Sequence, residues 1–167
     1  GAPLREREVP IPRFNSDEVL IKVHVCGVCR TDLHIIDGEL PHSKRPLILG
    51  HQIVGTAVEM GNAVHGIVPG QPVGVPWLAH TCGSCVYCEE GRENLCDHAS
   101  FTGYQMDGGY AEYVVAHYRY CVPIPENITE IKVAPLLCSG LIGYRALRMI
   151  GVGEGEGRRK EDARRIG

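Results

Sequence analysis

Four cysteines set the first chemical constraint. Cys82, Cys85, Cys88 and Cys96 follow a C-x2-C-x2-C-x7-C spacing. Thiolates this close along the chain can wrap one tetrahedral ion, each sulfur ~2.3 Å from the metal. Four sulfurs close the shell and leave no position for a substrate, so the spacing predicts a structural zinc that holds a lobe with little core of its own. The competing reading is two disulfides or four free thiols on a loop. His80 and His98 flank the cluster as substitute donors, but four regularly spaced cysteines make them second choices.

Cys29, His51 and Cys138 are three further metal-binding types, far apart in sequence. Alone each has an ordinary reading, since a cysteine is often a small buried hydrophobe and a single histidine before a strand is unremarkable. Their contexts are distinctive: Cys26-Gly27-Val28-Cys29-Arg30-Thr31-Asp32-Leu33-His34, then Gly50-His51-Gln52-Ile53-Val54-Gly55 with Gly61 and Val64, then Ala134-Pro135-Leu136-Leu137-Cys138-Ser139-Gly140. These segments, in this order and with the four-cysteine lobe between the second and third, resemble the zinc-dependent medium-chain alcohol dehydrogenases. The resemblance runs from about Val9 to Ile150.

That resemblance implies two zinc ions per chain. Cys29, His51 and Cys138 would hold a catalytic one with an open fourth position, and the four-cysteine lobe the other. It also assigns neighbouring roles. Thr31 would accept the substrate hydroxyl's hydrogen bond and begin a proton relay, and His34 would pass the proton to solvent. Asp32 would orient the His51 ring, Arg30 would bind the cofactor pyrophosphate, and Trp77 would line the substrate pocket. Cys26 would be a buried strand residue and not a ligand, despite its C-x2-C spacing to Cys29. The family usually has Glu after the ligand histidine; here Gln52 stands there, which makes the site's surroundings less negative.

These residues need a scaffold. Val19–Val25, Ile53–Met60, Gln71–Pro76 and Gly109–Val115 read as strands from their β-branched or alternating character. The prolines in Gln71–Pro76 place that strand at an edge. Residues 80–100 read as an irregular lobe. Leu136, Leu137, Leu141, Tyr144, Leu147 and Ile150 repeat every three to four residues, which predicts a helix over 131–150, with Pro135 and Gly140 as candidate breaks. The expected fold is mainly β with some α (α+β): a GroES-like, partly open β-barrel with a projecting zinc lobe.

The expected organisation is one GroES-like domain over residues 1–150 and a disordered tail over 151–167, where glycines alternate with glutamates before a charged run. Gly1 in place of Met, and an opening that already leads toward a strand, give the expectation that a first strand is missing. No G-x-G-x-x-G pattern occurs anywhere in the chain. In the resembled family NAD or NADP sits on a Rossmann domain carrying that pattern, so the expectation is a catalytic-domain fragment, inactive alone. A non-catalytic, zinc-stabilised interaction module is the alternative.

The net charge of −3 argues against nucleic acid and anionic membranes as partners. No apolar run approaches the ~20 residues of a membrane span, and the opening residues lack a signal-peptide core. The cytoplasm is the expected location, and eight cysteines there favour metal binding over disulfides. The resemblance implies a small alcohol or aldehyde as substrate, and a homo-oligomer for the complete enzyme.

Overall fold

The computed structural model describes residues 3–41, 43–125 and 127–151. Its centre is an open, antiparallel five-stranded sheet in the order β6-β1-β2-β3-β7. The strands are β1 (Glu18–Cys26), β2 (Ile53–Met60), β3 (Pro72–Val75), β6 (Tyr113–His117) and β7 (Val122–Pro123). A separate two-stranded ribbon pairs β4 (Leu78–His80) with β5 (Ser100–Phe101) and forms the neck of the cysteine lobe. The sheet does not close into a barrel among the described residues.

β-branched side chains explain the central strands. Val19 and Ile21 of β1, Ile53 and Ala57 of β2, Val73 and Val75 of β3 and Val114 of β6 are buried together on one face. Strand alternation sends Val54 to the other face, where it meets Ile124, Val133, Ala134 and Leu137. A register irregularity between Val23 and Val25 lets Val25 join that second cluster. Both faces of β2 are therefore covered next to His51, which lies two residues before the strand begins.

Several expectations change. β3 is not an edge strand, because it lies between β2 and β7. Pro72 is tolerated as the first residue of the strand, where one missing N–H costs little. The strand predicted over 109–115 begins only at Tyr113. Residues 108–110 instead lie against 48–50, with Gly108 N–H donating to Ile48 O (2.8 Å), Tyr110 N–H to Leu49 O (2.9 Å) and Gly109 N–H to Gly50 O (2.9 Å). Helix α1 (Arg30–Asp37) was not anticipated. Eight residues are too few to show a period, but Asp32 at its third position and left-handed Gly38 just after it are ordinary start and stop signals.

The predicted C-terminal helix is divided. α3 (Glu130–Val133) leads into a 3-10 turn over Ala134–Leu137, and α4 (Ser139–Met149) follows. The α-helix gives way to the 3-10 turn beside Pro135, one of the two expected breaks; a second break falls at Cys138 (φ −134°, ψ −81°) and not at Gly140. Of the apolar face predicted for this helix only Leu137 is buried; Leu136, Leu141, Tyr144, Leu147 and Ile150 are exposed. Residues 152–167 of the predicted tail lie outside the described residues.

Leu137 anchors the break. Its Cδ2 lies 3.0 Å from where a Cβ on Gly74 would sit, so the glycine admits the leucine against β3. Leu137→Ala should cost about 2–4 kcal/mol, the usual penalty for emptying a leucine site, and should loosen the adjoining Cys138. Denaturant unfolding of the two proteins checks the first effect.

Candidate metal centres

The lobe between β4 and β5 contains the short α2 (Val86–Glu89) and a 3-10 turn over Glu93–Leu95, neither with a buried residue. Apolar packing cannot hold it. What converges inside it is sulfur: Cys82, Cys85, Cys88 and Cys96 place their thiols within 4.8 Å of one another. The contacts are 3.5 Å for Cys85–Cys88, 3.6 Å for Cys96–Cys82 and 4.0 Å for Cys82–Cys88. Sulfurs at ~2.3 Å from a common ion stand roughly 3.8 Å apart at tetrahedral angles, whereas a disulfide requires about 2.05 Å. The four thiols thus match a metal shell and not two bridges. His80 and His98 do not join the cluster.

The second centre is assembled from three places. Cys29 is the N-cap of α1, His51 lies two residues before β2 and Cys138 occupies the break before α4. Their donor atoms also fall within 4.8 Å of one another, with Cys29 Sγ 3.8 Å from Cys138 Sγ. His51 is fully buried, and its Nε2 has no hydrogen-bond partner. An orphaned buried nitrogen is costly, and a metal on Nε2 removes that cost. Two thiols and one imidazole are a donor set that suits zinc. Cys26 stays outside this set and sits against Gly50 and Gly109.

Electrostatics point the same way. Burial pushes the Cys29 thiol up, but the Thr31 backbone and hydroxyl, His51 and Cys138 outweigh it and bring the pKa down to about 7. Cys138 goes the other way, to about 11, through burial and the neighbouring Cys29 thiolate. Burial alone would lower the His51 pKa, yet Asp32 and Cys29 raise it above the ordinary value. Negative groups that favour a charged imidazole also favour a dication in its place.

Asp32, 1% exposed, faces His51, whose far nitrogen the resemblance has it hydrogen-bond: Oδ1 lies 3.3 Å from Nδ1. That is ion-pair distance, but neither atom meets hydrogen-bond geometry. Oδ2 accepts the Cys29 N–H (2.8 Å) and the Tyr110 hydroxyl (3.0 Å). Burial raises the Asp32 pKa, and His51, Cys29 N–H and Tyr110 together more than reverse it, so the carboxylate stays ionised. Thr31 Oγ1 lies 3.7 Å from Cys29 Sγ. His34, three residues on and so on the same side of α1, is half-exposed and meets Glu39 through Nδ1. Arg30 is exposed at the first position of α1. Trp77 places its ring edge-on to His51 at 4.9 Å and stacks on Phe101 (4.9 Å) and Tyr104 (5.9 Å). Tyr110, Phe101 and Tyr104 were missed by the sequence reading.

Residues 15–126 match the family described as the alcohol dehydrogenase GroES-like domain. The chain belongs to that family. Among its relatives is an alcohol dehydrogenase of Geobacillus stearothermophilus, 47% identical over 154 residues, covering 92% of this chain and 45% of the relative. The alcohol dehydrogenase of the hyperthermophilic archaeon Aeropyrum pernix superposes with a TM-score of 0.80 at 35% identity, over 89% of this chain and 45% of that one. A zinc-binding dehydrogenase of Sinorhizobium meliloti 1021, so described provisionally and bound to NADP, superposes at 0.71 with 40% identity, over 77% and 37%. The chain spans less than half the length of the curated relatives it matches. Among its described residues no helix is long and apolar enough to cross a membrane.

Proposed function

We propose that this chain supplies the metal-bearing catalytic part of a zinc-dependent alcohol dehydrogenase, which oxidises alcohols to aldehydes or ketones and delivers hydride to NAD or NADP. The observation that carries the reading is the convergence of Cys29, His51 and Cys138 around a buried imidazole nitrogen with no other partner. A closed four-sulfur cluster lies elsewhere in the same chain. One site with three protein donors and another with four is the division expected of a catalytic and a structural zinc.

Cys29, His51 and Cys138 hold the catalytic ion in this proposal, and Cys82, Cys85, Cys88 and Cys96 the structural one. When bound, a catalytic zinc supplies Lewis acidity that lowers the pKa of the substrate alcohol. Asp32 keeps the His51 ring oriented and its Nε2 free for the metal. Thr31, beside Cys29, accepts the hydroxyl's hydrogen bond. His34 hands the proton on to solvent, with Glu39 at its Nδ1. Arg30 is free to meet a cofactor phosphate. Because the chain contains no G-x-G-x-x-G, the same proposal has the isolated 167 residues inactive without a nicotinamide-binding partner domain. Homo-oligomeric assembly of the complete enzyme and residence in the cytoplasm complete it; eight free thiols suit a reducing compartment.

Grafting tests the reading. Residues 15–149 would replace the matching stretch of the Geobacillus stearothermophilus enzyme, and alcohol-dependent reduction of NAD and NADP would be followed. Turnover that disappears with His51→Ala supports the proposal, and a folded, zinc-loaded graft with no turnover on any alcohol contradicts it. In the active graft, Trp77→Ala should raise kcat/KM for branched alcohols relative to ethanol by about tenfold or more, the low end of what one methylene is worth in a pocket. An unchanged ratio would remove Trp77 from the substrate wall.

A further inference from the structure

Asp32 is fully enclosed, and its two oxygens have different surroundings. Oδ2 receives two donors, Cys29 N–H at 2.8 Å and Tyr110 O–H at 3.0 Å. Oδ1 receives none and faces His51 Nδ1 at 3.3 Å. A carboxylate with one saturated oxygen can present only the other to the imidazole. The Cys29 N–H is fixed by the start of α1, so it supplies one of the two anchors. The second is a side chain 78 residues away along the chain.

Tyr110 also touches the backbone that carries His51. Its N–H donates to Leu49 O at 2.9 Å. Its ring covers Gly50, where an added Cβ would lie 2.6 Å from Tyr110 Cδ1. Gly50 has φ +97°, a conformation open to glycine, and that is how the phenol ring comes so near. One residue therefore contacts the segment leading into His51 and also the carboxylate that faces it.

We infer that Tyr110 is a positioning residue for the three-donor metal centre: its hydroxyl fixes the Asp32 carboxylate so that Oδ1 holds the His51 ring with Nε2 toward the metal. The inference rests on the proposed zinc site at Cys29, His51 and Cys138. Tyr110 makes no contact with substrate or metal in this role; it acts through Asp32. Outer partners of this kind affect metal affinity by about 10- to 100-fold, and a residue acting through another belongs at the low end. Removing the hydroxyl leaves Oδ2 with one donor and frees the carboxylate to turn. The packing over Gly50 survives in a phenylalanine.

The test is chelator competition on the zinc-loaded chain, which resolves a tight and a weaker site. Tyr110→Phe should weaken the three-donor site about tenfold and leave the four-cysteine site as it was, with unchanged circular dichroism. Asp32→Asn should weaken the same site at least as much, and adding Tyr110→Phe to it should cost little more. In the cobalt-loaded chain, Tyr110→Phe should shift the visible bands of the three-donor site alone. Equal zinc affinity in Tyr110→Phe and the parent overturns the inference, as do additive losses in the double variant. Loss of β-structure in Tyr110→Phe overturns it too, since the hydroxyl would then serve folding. If the parent chain itself binds one zinc, or Cys138→Ala leaves both affinities intact, the underlying zinc site is wrong and the inference falls with it.

Discussion

Cys138→Ala should reduce the chain from two bound metal ions to one. The site has only three protein donors, two of them thiols 3.8 Å apart. Removing one takes away both a bond and a negative charge from a dication partly screened from water. The loss in affinity should exceed about a hundredfold, more than that of an outer partner. The four-cysteine lobe lies outside this set and should keep its ion. Metal analysis after dialysis against a chelator reads the difference directly. Proton release gives a second readout, because thiol ligands bind as thiolates. In the metal-free site the Cys29 pKa is brought down to about 7, and burial and its thiolate neighbour push that of Cys138 up to about 11. At low pH the incoming ion displaces protons from both thiols and from the His51 imidazole, whose pKa Asp32 and Cys29 raise; once Cys29 and His51 are deprotonated it displaces mainly that of Cys138. Affinity should therefore rise with pH, and most steeply at low pH, where all three ligands must lose a proton. In the active graft, Cys138→Ala should lower kcat by about a thousandfold, the equivalent of about 4 kcal/mol of transition-state stabilisation by a Lewis acid.

The largest structural effect belongs to the other centre. Cys96→Ser should open the lobe between β4 and β5 without unfolding the sheet. Of the four cysteines Cys96 alone is buried, and neither short helix of the lobe contributes a buried residue. Without its ion the lobe has almost no apolar surface to offset the entropy of ordering ~15 residues, which costs on the order of 1 kcal/mol or more each. Structural zinc in small domains supplies about 10 kcal/mol or more, enough to decide between order and disorder here. Limited proteolysis within residues 83–95 should accelerate by at least about tenfold, with the same result from chelating the parent chain. The core cluster around Val19, Ile21, Ile53 and Val73 includes no residue of the lobe, so the protected fragment should retain its β-sheet signal.

The strands that carry the core were legible because their residues are β-branched and their ends are punctuated. The expectation over Ile53–Met60 coincides with β2, and that over Val19–Val25 lies inside β1. α1 was invisible to periodicity, since its burial is confined to Asp32 and Ile35. The C-terminal repeat of apolar residues was a sound signal for helix and a poor one for burial: α4 forms, yet nothing among the described residues covers it. The break at Cys138 depends on Leu137 seating against Gly74, a contact across the chain that no local pattern encodes. The four-cysteine site could be read from spacing alone. The three-donor site could not, because its members come from separate elements, and only the resemblance brought them together. Tyr110 escaped because Gly109–Val115 alternates like a strand, while the chain instead turns there and lies along residues 48–50.

In the proposed function this chain holds one closed metal site and one with a position open to substrate. The most direct measurement is the visible spectrum of the fully cobalt-loaded chain during titration with imidazole, a small exogenous ligand. Two ions per chain are expected, with the bands of the three-donor site shifting to saturation and those of the four-sulfur site unmoved. A single bound ion, or two ions whose spectra ignore imidazole, would contradict it.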